Sequence, residues 1–495
     1  MITQTSLISA LIARGGMTER QFFAEEIRRW KASEVRKNQL AGERYYRGKH
    51  DILDRKRTVI GADGKLVEVK NLPNNQIIDN QYGKMVDQKT NYLLGNPFKM
   101  QTDREEYKTA LAEVFDRTFK RTLQNIGEGA LNGGIGWLYV YYDAEGSLAF
   151  KRFISHEIRP FWKDDEHTEL DVCVRVYEQE VYDGQANKTI ERVEIYKVDG
   201  VERYILEDGV LVDDPDYPST PYMTRLVEGA EAEAYNWGRV PIVAFKCNDK
   251  EIPLICKTKP LQDAINATLS DFQNNMQEDS RNTILVIKNY DGENLGEFRH
   301  NLAAYGAVKV RSEEGANGGV DALRVEVNAE NYKSILEILK KALIENAMGF
   351  DAKDLRSSTP NQMNIQSMYS DVDLDANGME TEFQASFEQL LWFVNVYLAN
   401  SGKGNFDGTD IEIVFDRDML MNEGDIIDNV RNSMGVLSKE TLLAHHPWVS
   451  DTVMEMDRLV KEHRAELEAD PYRAAFEQNQ ATAEAGPGGA DDENT

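Results

Sequence analysis

The 495-residue sequence predicts an α+β fold, and three stretches carry that expectation. Two helical runs, Leu261–Asn282 and Ala329–Met348, bracket a strand-rich insert, Thr283–Asn328. From Met363 to about Asn400, apolar residues recur at helical spacing over a length that exceeds the needs of one small domain. Between Trp137 and Phe245, β-forming runs alternate with Asp-Gly turns, the pattern of an antiparallel sheet.

Taken in order, Thr18 to about Tyr46 reads as one helix. Phe22, Phe23, Ile27, Trp30, Val35 and Leu40 form its stripe, Glu19, Glu25 and Glu26 enrich its first turns, and Gly48 is placed to cap its end. Residues 51–73 read as a basic, Gly-containing loop with Arg55, Lys56, Arg57 and Lys65. The polar run Asn74–Asn80 leads into a helix over Gln81–Leu94, with Tyr82, Met85, Val86, Lys89, Tyr92 and Leu93 on one side and Gly95 and Pro97 stopping it. Glu105 to about Asn132 is again helical. Gly133–Gly136 breaks the chain before the strand Trp137–Tyr142, which turns at Asp143–Gly146 into Leu148–Phe153. Val172–Tyr177, Glu191–Lys197 and Glu202–Leu206 are short strands, with turns at Asp199-Gly200 and Asp208-Gly209. Asp213–Asn236 is an acidic loop, and Pro241–Phe245 a buried strand.

Pro260 is expected as the first residue of the next helix. Leu261, Ile265, Leu269, Phe272 and Met276 follow at spacings of 4, 4, 3 and 4, a narrow seam suited to packing against similar helices. The insert offers a strand at Ile284–Ile287, a short helix around Leu295–Tyr305, strands at Ala307–Val310 and Leu323–Val327, and a loop at Gly315–Gly319. Tyr332, Ile335, Leu336, Leu339 and Leu343 line the second helix, and Gly349–Gln362 is a polar loop. The long helix carries Met379, Phe383, Phe387, Leu390, Leu391, Val394 and Tyr397 on one face, with Gly378 as a candidate kink. Ile411–Phe415 is a strand. Asp425–Arg464 is a helical hairpin or triplet, with Ser438 as an N-cap and Pro447 opening a further helix. From Glu468 the composition predicts disorder.

The formal net charge is −28, which argues against tight wrapping of nucleic acid, since affinity for phosphates comes from Lys and Arg. The longest apolar run, Leu390–Ala399, is about half a membrane span, and Met1–Gly15 lacks the pattern of a secretory signal. Cys173, Cys247 and Cys256 lack CxxC spacing, which fits a reducing compartment without a disulfide or zinc framework. No Gly-Lys pair is followed by Ser or Thr in a phosphate-cradling loop, and there is no Gly-x-Ser-x-Gly. The glycines from Gly127 to Gly136 run helix, glycines, strand, the reverse of a dinucleotide fingerprint. Asp371, Asp373, Asp375 and Glu382 imitate a calcium loop, but Ala376 stands where the sharp turn needs Gly, so they read as a solvated acidic helix face. His445-His446 before Pro447-Trp448 reads as a turn between helices. Lys340, Lys341, Lys353 and Arg356 read singly as surface charges. Repeated around an axis, they would form rings of charge that touch phosphates without reading sequence. No catalytic, cofactor or metal site is expected.

The run Tyr45-Tyr46-Arg47-Gly48-Lys49-His50-Asp51-Ile52, then Leu72-Pro73-Asn74-Asn75, resembles phage portal proteins of the SPP1 type. So do Asp79-Asn80-Gln81-Tyr82-Gly83-Lys84-Met85-Val86-Asp87-Gln88-Lys89, Tyr92–Phe98, Gly435–Thr441 and Glu455-x-x-Arg458. The resemblance covers nearly the whole chain. It implies a portal fold forming a dodecameric ring with a central channel at one capsid vertex. By that likeness residues 1–258 are the wing, 259–282 the first stem helix, 283–328 the clip and 329–348 the second stem helix. Residues 349–362 become the tunnel loop, 363–422 the spine helix and a wing strand, 423–467 the crown, and 468–495 an acidic tail. The implied function is passage of double-stranded DNA, without sequence specificity, during packaging and ejection. The implied partners are further copies of the chain, terminase, head-completion (adaptor) proteins, and the major capsid and scaffolding proteins, with no membrane. The implied location is the virion, after assembly in the host bacterial cytoplasm. Two competing readings are a head adaptor or minor capsid protein without a channel, and a metal-dependent nuclease built on Asp371, Asp373 and Asp375.

Overall fold

The computed structural model describes residues 16–60, 64–69, 72–184, 186–225, 233–279, 283–288, 294, 296–297, 311, 319–324, 328–351, 362–417, 423–449 and 452–469. The tail from 470, Lys353, Arg356 and most of the insert between 289 and 318, including the helix and strand expected there, lie outside them. The chain forms two compact units: Met1–Asp351 with Tyr369–Asp418, and Ala352–Met368 with Met419–Thr495.

The first unit opens with α1 (Glu19–Lys31) and α2 (Glu34–Tyr46), not one helix. Ser33 makes the break: its hydroxyl accepts from Arg36 N at the start of α2 and donates to Trp30 O at the end of α1. Rephasing at that point leaves Val35 62% exposed, off the expected stripe. Gly48, at φ 73°, ends α2 as expected. The basic stretch after it is not all loop, because β1 (Thr58–Ile60) and β2 (Leu66–Glu68) pair antiparallel. Then come α3 (Gln81–Leu94) and β3 (Lys99–Gln101). The helical run from Glu105 is split into α4 (Glu105–Val114) and α5 (Arg117–Gly133), because the Asp116 side chain accepts from Phe119 N at 2.8 Å and starts a new helix.

Gly134, at φ 87°, turns the chain into β4 (Ile135–Tyr142); a Cβ there would stand 2.1 Å from Glu251 O. The break before a hairpin is therefore what the glycines do. β5 (Leu148–Phe153) pairs with β4, and β6 (Ile158–Trp162), β7 (Leu170–Asp183), β8 (Ala186–Lys197), β9 (Gly200–Glu207) and β10 (Val210–Asp213) form a sheet in the order β10-β9-β8-β7-β6. β7 and β8 run well past their expected ends. Glu178, Gln179 and Glu180 continue the backbone pairing after the apolar alternation has stopped. The acidic loop contains a small ribbon, β11 (Met223–Arg225) with β12 (Glu233–Tyr235). β13 (Ile242–Lys246) pairs with β4 across about a hundred residues of chain, completing the sheet β13-β4-β5.

α6 (Ile255–Asp279) begins earlier than expected, so Pro260 lies inside it. Leu254 and Ile255 are buried in the core, and that burial extends the helix N-terminally despite the N–H missing at 260. β14 (Thr283–Lys288) and β15 (Gly319–Arg324) pair antiparallel, and α7 (Ala329–Asn346) returns alongside α6. α8 (Gln362–Asn400) is unbroken at Gly378, so the expected kink is absent, and its 39 residues span about 58 Å. β16 (Glu412–Val414) pairs with β3.

α8 is the axis of the main core. Phe387 is fully buried, with ring centroids of Phe98, Phe115, Phe119, Phe245 and Phe415 between 5.1 and 6.2 Å away. Rings from three sequence-distant stretches, 98–119, 245 and 415, thus meet on one side chain, each adding large apolar burial. A second core lies under α1, where Phe23, Ile27 and Trp30 cover Val172, Val174, Val193 and Ile195. A third holds Trp137, Phe153, Trp162 and Tyr196 between the two larger sheets.

The second unit contains α9 (Glu423–Asn432), α10 (Lys439–Ala444) and α11 (Thr452–Ala469). Ser438 caps α10 as expected, whereas the last helix starts at Thr452 and not at Pro447. Among the described residues, no helix is long and apolar enough to cross a membrane.

Candidate functional site

Two neighbouring stripes, about 100° apart around the helix over most of its length, organise α6. Thr258, Gln262, Asn266, Ser270 and Asn274 recur every fourth residue and are completely buried. Four of them hold an extended stretch of backbone. Asn75 N donates to Asn274 Oδ1 (2.7 Å), Ile77 N to Ser270 Oγ (3.0 Å), Asp79 N to Asn266 Oδ1 (3.1 Å) and Tyr82 N to Gln262 Oε1 (2.9 Å). Gln262 Nε2 donates back to Asp79 O at 2.8 Å. The match is geometric: four helical residues rise about 6 Å, and two extended residues rise about 6.6 Å. The ladder satisfies the N–H groups of Asn75, Ile77, Asp79 and Tyr82 and the carbonyl of Asp79 in a stretch that has no strand partner. Sequence reasoning missed it, although five small polar residues at strict i,i+4 spacing were in view.

The ladder continues into a polar cluster. Asn266 Nδ2 donates to His50 Nδ1 at 2.8 Å, and His50 Nε2 donates to Tyr45 O at 3.0 Å. His50 is 1% exposed, and burial lowers its pKa. Its ring stacks on Tyr45, centroids 4.4 Å apart, and the Tyr45 hydroxyl donates to Asp263 at 2.5 Å. Burial and Asp263 together raise the Tyr45 pKa. Lys259 bridges Asp51 (2.6 Å) and Asp263 (2.8 Å), and Arg44 also pairs with Asp51. Partial burial acts to raise the Asp51 pKa, but the bonds from Lys259, Arg44 and Tyr45 win and bring it to about 2. The Tyr45–Asp51 motif thus locks the end of α2 onto α6.

The apolar stripe of α6 is divided. Ile265 is fully buried in this chain's own core, with no surface left to offer another subunit. Leu261 and Leu269 are partly buried against the same core, and Phe272 packs on Tyr332 of α7 with centroids 5.1 Å apart. Met276 is half exposed. On α7, Ile335 and Ile338 are 49% and 66% exposed, so the outward apolar surface of the helix pair lies mainly there.

The candidate cations differ as well. Lys340 Nζ lies 2.5 Å from Asp79, so its charge is already matched within the chain. Lys341 is largely exposed and 3.9 Å from Glu345. After α7 the chain is fixed to α3. Gln88 exchanges two hydrogen bonds with the Phe350 backbone, at 3.0 and 3.1 Å, and Lys89 Nζ donates to Met348 O at 3.2 Å. Lys89 is buried and pairs with Asp375 at 2.6 Å; desolvation lowers its pKa, against the pull of Asp375. Asp373 accepts from Tyr92 (3.0 Å) and pairs with Arg417. The acidic run is therefore only partly a solvated face: Asp371 is exposed, while Asp373 and Asp375 are held by Arg417 and Lys89. Among the described residues, no group of three His, Cys, Asp or Glu side chains is arranged to hold a metal ion. In the second unit, His445 Nδ1 donates to Thr441 O and His446 Nδ1 accepts from Trp448 N, the geometry of a turn.

The family model for phage portal proteins, SPP1 Gp6-like, matches residues 31–469. The portal protein of Bacillus phage SPP1 is 29% identical over 427 residues, covering 86% of this chain and 83% of its own. That of Clostridium phage phiCD119 is 27% identical over 436 residues, covering 86% and 92%. Among solved structures, the neck of an empty gene transfer agent particle aligns over 72% of this chain and 87% of its own, at 12% identity and a TM-score of 0.42.

Proposed function

The chain belongs to the SPP1 Gp6-like family of phage portal proteins, and from that premise we propose that it forms a dodecameric ring at one capsid vertex, through which double-stranded DNA is packaged and ejected. As a portal protein it is a component of the phage capsid, and the family is structural, not catalytic. In this reading α6 and α7 are the stem, and the β14–β15 segment within 283–328 is the clip that docks terminase and later the head-completion proteins. Residues 1–258 with 363–422 are the wing, 349–362 the tunnel loop and 423–467 the crown. Major capsid and scaffolding proteins meet the ring during assembly in the host cytoplasm.

The observation that carries the reading beyond family membership is the two-sidedness of the α6–α7 pair. Its inner side is tied to the chain by the polar ladder, while Met276, Ile335 and Ile338 face outward without a partner among the described residues. An apolar surface of this kind favours burial against a neighbouring subunit. The strongly negative net charge supports passage of DNA without retention, because a channel that bound phosphates tightly would stall it. Of the candidate channel cations, Lys341, Lys353 and Arg356 remain the proposed DNA-facing set. Lys340, neutralised by Asp79, is proposed as a fold contact first.

Electron microscopy of the purified chain tests this. Rings with an axial hole are expected; monomers or dimers under all solution conditions would sink the reading.

A further inference from the structure

A groove of about 820 Å³ lies between α1 and the β9–β10 end of the five-stranded sheet. Its wall along α1 is Met17, Arg20, Ala24, Arg28 and Lys31, one helix face from the chain's entry at Gly16 to the end of the helix, about 20 Å away. Leu206 and Leu211, a cross-strand pair, line it from the sheet. Ala24 and Leu206 are partly buried and Met17 is 47% exposed, so apolar surface is left uncovered. The charges on the wall, in contrast, are matched within the chain: Arg20 pairs with Asp213 at 2.7 Å, Arg28 with Glu25 at 2.6 Å and Lys31 with Glu191 at 2.5 Å. The groove therefore suits an apolar occupant with little charge of its own.

Such a segment immediately precedes the groove in the chain. Residues 1–15 lie outside the described residues, and Gly16, the next residue, lines the groove. Arg14 is the one charged side chain among those 15, in a chain with 29% charged residues. Leu7, Ile8, Leu11 and Ile12 recur at helical spacing and share a helix face about 140° wide, while Ser6, Ser9, Ala10 and Ala13 fall on the other. Gly15 and Gly16 are suited to end a helix there, and Thr18 starts α1 with a capping box. Gly15–Thr18 thus separates the two helical stretches by a length that joins antiparallel helices.

We propose that residues 7–14 form a helix that folds back along α1 and seats Leu7, Ile8, Leu11 and Ile12 in this groove of the same chain. About 12 Å of helix fits within about 20 Å of groove. So short a helix is unstable alone in water, so it forms only where the groove buries its apolar face. The tether favours the chain's own segment over any other occupant, because so short a link holds it at a high effective concentration. In an antiparallel pair with that loop, Ile8 lies beside Ala24, whose small side chain lets the two helices approach. The seating extends the apolar core under α1 and does not depend on ring formation.

Hydrogen exchange on the purified full chain tests the seating. The amides of Leu11–Arg14 are expected to exchange at least about tenfold more slowly than an unstructured chain of that sequence. Leu11→Asp is expected to abolish that protection, and so is Ala24→Arg, which fills the groove from the other side, each with an unchanged circular dichroism spectrum. In parallel, Ile8→Cys with Ala24→Cys is placed in a Cys256→Ser background, which removes the exposed native thiol. Mild oxidation is expected to give a cross-link within one chain, read as faster migration of the monomer band without reductant, which neither single variant gives. Wild-type amides that exchange at the unstructured rate, or protection that survives either substitution, overturn the docking. The absence of any cross-link overturns the antiparallel seating. A cross-link that joins different chains overturns the seating within one chain and makes a neighbour's segment the occupant. Each of these results leaves the ring reading standing, since microscopy decides that separately.

Discussion

His50 has both ring nitrogens engaged, one donating to Tyr45 O and the other accepting from Asn266, so the buried imidazole is neutral. Its folded pKa lies below its ordinary value of 6.5, which means the unfolded chain binds more protons as pH falls. The stability it contributes is complete above 6.5 and declines as pH drops below it. His156, also lowered by burial, slopes the same way, so the variant His50→Gln is needed to separate them. Between about pH 7 and pH 5, thermal unfolding of wild type is expected to weaken more than that of His50→Gln. Asn266 joins this cluster to the ladder. Asn266→Leu leaves Asp79 N and His50 Nδ1 without partners and is expected to cost about 2–4 kcal/mol in denaturant unfolding. Lys89 is buried and pairs with Asp375. Asp375→Ala strands a buried ammonium and is expected to cost about 3–5 kcal/mol, much of it recovered by adding Lys89→Met.

At the scale of the element, α6 and α7 divide folding from assembly. Leu269→Asp places a carboxylate on the proposed seam, but Leu269 also packs partly on this chain's own core. Loss of rings is expected for that variant together with a lowered melting temperature. Ile338→Asp isolates the second effect, because Ile338 is 66% exposed. It is expected to keep the wild-type melting profile of the dissociated subunit and to lose ring assembly, as read by sedimentation and microscopy. The periodicities of α7 and α8 were plain in the sequence, and Met379, Phe383, Phe387, Leu390 and Val394 are all buried as their spacing implies. The breaks at Ser33 and Asp116 were less visible. Each is made by one polar side chain hydrogen-bonding backbone, while the apolar stripes on both sides remain compatible with a single helix.

At the scale of the whole molecule, charge opposes what the proposed contacts favour. Subunits of net charge −28 repel across any ring. Raising ionic strength from about 0.01 M to about 0.15 M shortens the screening length from about 30 Å to about 8 Å. Ring formation is expected to increase over that range in sedimentation velocity; a steady fall instead would mean that charge attraction, not apolar contact, dominates the interface.

The sequence by itself determined the types of the longer elements, the order of helix, insert, helix and long helix, and the family, because those depend on local periodicity and on motifs contiguous in the chain. Only the tertiary structure decided which groups meet. The partners in the ladder lie 180 to 199 residues apart, and Lys89 lies 286 residues from Asp375. No local pattern specifies such a pair. Asp375 looked like one of a row of solvated carboxylates until α3 brought a buried ammonium to it, and the stripe from Leu261 to Met276 looked like a uniform seam until the core covered Ile265 and left Met276 outside. Burial and charge pairing are properties of assembled surfaces, and α6 acquires its two faces only when residues 75–82 lie along one of them.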